Sequence, residues 1–107
     1  MVLLNYMEFI IENKSGENIA NMARKIGYFY LPQREEGNER SFVRPMQRSG
    51  YPRFHLYLKT SPNGKGLVFS LHLDQKRPVY KSANAHAGEY DSPIVKQEAE
   101  RIKQSLI

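Results

Sequence analysis

The sequence predicts an α+β domain: a mainly antiparallel sheet of four or five strands with two helices packed on one face. Three observations point there. Residues 53–74 alternate large apolar with polar residues on either side of a turn-rich stretch, the pattern of a β-hairpin. Two other segments, around residues 15–26 and from Pro93 onward, carry apolar stripes at helical spacing. No linker long enough to separate independent units interrupts the 107 residues, so 1–107 reads as a single domain.

In chain order, residues 5–12 set Met7, Phe9 and Ile11 against Tyr6, Glu8 and Glu12, as a strand would. Leu4, Met7 and Ile11 also fit a helical stripe, and the β-branched and aromatic content decides for the strand. Ser15-Gly16-Glu17 then predicts a helix start, with a hydroxyl cap and an acid in the first turn. Ile19, Met22, Ala23 and Ile26 form its apolar face over about three turns, and Gly27 ends it in a left-handed cap. Tyr28–Leu31 reads as a short strand stopped by Pro32, 33–40 as a polar loop, and Ser41–Arg44 as a further strand ended by Pro45. A turn follows at 49–52. In the last helix Asp91 or Ser92 is the cap and Pro93 the first helical residue. Val95, Ala99, Ile102 and Leu106 face inward; Glu98 and Glu100 are expected outside with Lys96, Arg101 and Lys103.

The hairpin is the most informative segment. Phe54, Leu56, Leu58, Leu67, Phe69, Leu71 and Leu73 share one parity, and all must lie on the buried face. That requirement pairs Leu58 with Phe69, Leu56 with Leu71 and Phe54 with Leu73 across a loop of four or six residues around Asn63-Gly64. On the other face Arg53 meets Asp74, Tyr57 meets Ser70, and His55 meets His72. A three-residue loop with a bulge suits Pro-Asn-Gly too, but it would turn His72 to the side of Leu56. Burying the apolar groups, at ~1.5–3 kcal/mol each, outweighs that turn preference. The helices are expected on the Phe54/Leu71 side, which leaves the His55/His72 side open.

With no cysteine, the chain excludes disulfides, thiolate zinc sites, iron–sulfur clusters and cysteine nucleophiles, and it fits a reducing, cytoplasmic compartment. No apolar run approaches the ~18 residues of a membrane-spanning helix. The opening Met1-Val-Leu-Leu has no basic residue before it and Glu8 and Glu12 soon after, so no secretion signal is expected. The net charge of +5 is unevenly spread. Between Arg40 and Lys81 nine basic residues face the single acid Asp74, a local +8, while both flanks are slightly acidic.

A cationic midsection attracts polyanions, and tyrosines among the cations (Tyr51, Tyr57, Tyr80) offer faces on which bases stack. The leading expectation is therefore a small nucleic-acid-binding module. Arg44, Arg48, Arg53, Lys59, Lys76, Arg77 and Lys81 would contact phosphates, and Tyr57 or Tyr80 would contact bases. The second expectation is a phosphodiester-cleaving enzyme centred on His55, His72 and His86. Should the 84–91 segment fold over the polar face, these three and a carboxylate, Glu89, form a ligand set for Zn, Mn or Fe(II). A metal-free version uses the imidazoles as acid and base, with Arg53, Lys59 or Lys76 on the phosphate. A third expectation is a protein–protein adaptor with an acidic partner. Against all three stands the plain alternative that His55 and His72 are ordinary cross-strand residues on a wet face. Asp74-Gln75-Lys76 supplies only half of a restriction-type nuclease motif. A Ser70–His72–Asp74 relay fails, because residues i and i+4 of a strand lie ~13 Å apart.

Overall fold

The computed structural model describes residues 7–13, 16–32, 37–75, 88–89 and 93–106. Strands β1 (Met7–Glu12), β2 (Phe29–Tyr30), β3 (Arg40–Pro45), β4 (Arg53–Thr60), β5 (Gly66–Asp74) and β6 (Gly88–Glu89) accompany helices α1 (Ile19–Lys25) and α2 (Pro93–Leu106). One antiparallel sheet runs in the order β1–β5–β4–β3–β2, and β6 adds a short rung to β5 beyond the end of β1. Beside the two helices this is the expected α+β fold.

The hairpin register follows from burial of the apolar parity. Phe54 faces Leu73, Leu56 faces Leu71, Leu58 faces Phe69, and on the other side His55 faces His72. The seven apolar residues of that parity are each at most 4% exposed. The chain turns at residues 61–66, where Ser61 N donates to Gly66 O (2.9 Å) and Asn63 Oδ1 accepts from Lys65 N (2.9 Å). Gly64, with φ of 76°, takes the left-handed position that a side chain would strain. β1 packs on the far side of β5, and Phe9 stacks on Phe69 with centroids 5.0 Å apart.

The core lies between the sheet and the helices. Met22, Ala23 and Ile26 enter it from the α1 segment, and Val95, Ala99 and Ile102 from α2. Three expectations fail here. The first is the length and start of α1. It spans seven residues rather than three turns, and Asn18 caps it, with Oδ1 accepting from Asn21 N at 2.8 Å. The helix cannot begin at Glu17, whose backbone N–H and C=O are both bonded by the Asn13 side chain (3.2 and 2.9 Å). Ser15 lies outside the described residues. Gly27 does follow in the left-handed region, at φ of 89°.

The second is Glu98, which is buried at 5% exposure rather than outside. It accepts from Tyr28 Oη (2.7 Å), from Arg101 Nε (2.8 Å) and Nη2 (2.9 Å), and from Arg44 Nη1 (3.4 Å). Arg101 Nη2 also donates to Ile26 O at 2.6 Å, which joins α2 to the end of α1. Burial and the Glu98 carboxylate both push the Tyr28 hydroxyl up, so it stays protonated as a donor. The third is Arg44, expected on the cationic face, which lies on the helix side because it follows Phe42 at i+2 on β3. Among the described residues, Ile10 on β1 and Phe29 on β2, the two outermost strands, are the most exposed large hydrophobic residues. Among the described residues no helix is long and apolar enough to cross a membrane.

Candidate metal centre on the polar sheet face

Three neighbouring strands build the site. Because side chains alternate along a strand, Ser41 on β3, His55 and Tyr57 on β4, and Ser70, His72 and Asp74 on β5 all leave the face opposite the helices. His55 and His72 are direct partners, with ring centroids 4.9 Å apart. Asp74 is two residues beyond His72 and diagonal to His55. Its Oδ1 is 2.9 Å from His72 Nε2 and its Oδ2 is 3.2 Å from His55 Nδ1. Arg53 Nε donates to the same Oδ2 at 3.1 Å and its guanidinium lies 4.7 Å over the Tyr51 ring. On its other side His55 Nε2 is 2.6 Å from Ser41 Oγ. One ligand atom from each of His55, His72 and Asp74 falls within 4.8 Å of the others, a group able to hold a metal ion.

No protein-family model matches this chain, and neither the curated proteins nor the solved structures contain a match to it.

The site's protonation follows from its surroundings. Burial lowers the His55 pKa, and repulsion from His72 and Arg53 adds to it, which together outweigh the hydrogen bond to Asp74 and the attraction of its carboxylate. Burial alone would push the Asp74 carboxyl up, but hydrogen bonds from His55 and His72, the electrostatic attraction of His72 and the Arg53 hydrogen bond hold it well below the usual carboxylate range. Both groups bind fewer protons folded than unfolded, so folding stability drops as the solution is acidified. The His55 share is lost as pH drops below the unfolded value of 6.5, and the Asp74 share as pH drops below 3.8. The melting temperature of the metal-free protein should therefore decline between pH 7.5 and 5. A flat profile across that interval would contradict the assignment.

The expected open face is closed at its centre. His55 is 4% exposed and Ser41 0%, because the imidazole sits between the serine, Asp74, His72 and the Tyr57 ring stacked 4.5 Å away. Ser41–His55–Asp74 thus has the order of a nucleophile relay, but a fully buried hydroxyl offers no substrate access. Of the residues expected at a phosphate surface, Arg48 is exposed in the β3–β4 turn, Lys59 is half-buried on the polar face, and Arg53 is bonded to Asp74. Tyr57 stacks on the two histidine rings, so its face is already used. Lys76, Arg77, Tyr80, Lys81 and His86 lie outside the described residues. The Glu89 backbone pairs with Leu73, and its side chain lies outside them as well.

Two residues of the cluster were missed by sequence reasoning. Asp74 shares a parity with His72, and the hairpin register already puts it diagonal to His55; that signal was legible. Ser41 reaches His55 only through the β3–β4 register, which the seven residues between the strands do not disclose.

Proposed function

We propose that the protein binds one divalent transition-metal ion through His55 Nδ1, His72 Nε2 and Asp74, and that it acts as a metal-dependent phosphodiester-cleaving enzyme. The carrying observation is the convergence of two imidazole nitrogens and a carboxylate oxygen within 4.8 Å. Imidazoles with one carboxylate suit Zn, Mn or Fe(II), and three protein ligands leave coordination positions for water and substrate. When bound, such an ion polarises a phosphoryl oxygen and acidifies a water molecule. The residues of the chain supply the rest. Asp74 brings the negative charge, Arg53 holds its carboxylate, and Lys59 on the same face with Arg48 on the adjoining turn attracts an anionic substrate. The local +8 makes nucleic acid the favoured partner, which keeps the nucleic-acid-binding reading within the same proposal.

Titration with Zn²⁺ or Mn²⁺ tests it. At a hundredfold excess over the dissociation constant, about 2.7 kcal/mol of stabilisation should raise the melting temperature by roughly 10 °C or more. A chelator should reverse the rise, and His72→Ala should abolish it. Cleavage of bis(p-nitrophenyl) phosphate or single-stranded nucleic acid should appear only with metal. No thermal response to any of these ions overturns the metal site, and cleavage that survives chelation overturns the metal-dependent reaction.

A further inference from the structure

We infer that Ser41 is the positioning residue that allows His55 to exchange a ring proton for a metal ion, its hydroxyl donating to Nε2 without metal and accepting from Nε2–H with metal. The inference rests on the metal site proposed above and adds to it a residue that ligates nothing.

Hydrogen-bond polarity and burial together set the metal-free state. An ionised carboxylate has no proton to give, so the 3.2 Å contact with Asp74 Oδ2 requires that His55 Nδ1 donate. Burial disfavours a second proton on this ring, and the neutral imidazole protonated at Nδ1 presents a bare Nε2 to which Ser41 Oγ–H donates across the 2.6 Å contact. Coordination at Nδ1 needs the lone pair that this proton occupies. The proton must leave Nδ1 and one must return to Nε2 by exchange with solvent, so the ring stays neutral and no net proton is released from it. Nε2 is then a donor, and its partner must accept.

A hydroxyl satisfies both states by rotating about one bond, whereas a backbone amide or carbonyl satisfies only one. The requirement is strict at this position. Ser41 is fully buried and His55 nearly so, and among the described residues no buried side-chain nitrogen or oxygen lacks a partner. With alanine at position 41 the Nε2 contact is lost in either state, no other described residue being bonded there, and the imidazole loses one of the contacts that set its orientation. Outer-shell partners of ligating histidines act in this way, fixing tautomer and ring angle.

The test uses the intact chain labelled with ¹⁵N at histidine, with long-range ¹H–¹⁵N spectra recorded before and after one equivalent of Zn²⁺. His55 should carry its proton on Nδ1 without zinc and on Nε2 with it. Ser41→Ala should weaken zinc binding about 10–100-fold in competition with a chromophoric chelator. If wild-type protein binds zinc while His55 keeps its proton on Nδ1, or if Ser41→Ala binds as tightly as wild type, the role of Ser41 is overturned and the metal site stands. If wild type binds no zinc, both fall. The wild-type spectra test the change of ring proton without any variant.

Discussion

Glu98→Ala should lower folding stability by about 3 kcal/mol, read as a shift of the urea midpoint, at the low end of the ~3–5 kcal/mol expected when one partner of a buried ion pair is removed. The carboxylate is bound on several sides by Tyr28, Arg101 and Arg44, and its removal leaves the buried Tyr28 hydroxyl without its acceptor. The low end applies because the Arg101 and Arg44 side chains are 38% and 36% exposed, so water takes over some of their solvation. Glu100→Ala, on the exposed side of the same helix, should stay within about 0.5 kcal/mol. Equal effects at the two positions would show that the buried network contributes nothing beyond helix propensity.

The second large effect belongs to Asp74→Asn. The amide keeps the volume but removes the charge, and its single oxygen cannot serve His55, His72 and Arg53 together. The zinc-dependent rise in melting temperature should disappear, because the proposed site loses the carboxylate of its ligand set. The metal-free protein should also lose about 1–3 kcal/mol as donors in the cluster go unmatched. Differential scanning calorimetry with and without zinc separates the two effects. A variant that retains the full zinc response would remove Asp74 from the ligand set.

These two residues also mark how far the sequence can be read. The hairpin was legible because burying Phe54, Leu56, Leu58, Leu67, Phe69, Leu71 and Leu73 together permits one register, and that register sets His55 against His72. The same parity carries Asp74, so most of the cluster follows from the alternation alone. Glu98 was misplaced for a physical reason. Helical periodicity puts it on the flank of the apolar face beside Val95 and Ala99, and whether a flank residue is wet depends on what else docks there. Here Tyr28 and Arg44 arrive from distant regions of the chain and enclose it. α1 was overextended because Gly16-Glu17 has the composition of a first turn, while the competing bonds come from Asn13, before the segment. Ser41 needed the pairing of a third strand. Long-range docking decided Glu98 and Ser41, whereas a local side-chain-to-backbone contact decided the start of α1.

The outer strands also bear on self-association. β1 ends the sheet on one side and turns Glu8, Ile10 and Glu12 to the polar face. An exposed isoleucine on an edge strand would invite a second molecule to continue the ladder, but here a carboxylate flanks it on either side, and two copies stacked edge to edge would bring like charges together. At the opposite end β2 has only two residues, too short a template to recruit another strand despite the exposed Phe29. Among the described residues, acidic gatekeeping at one margin and brevity at the other thus disfavour templated growth of the sheet.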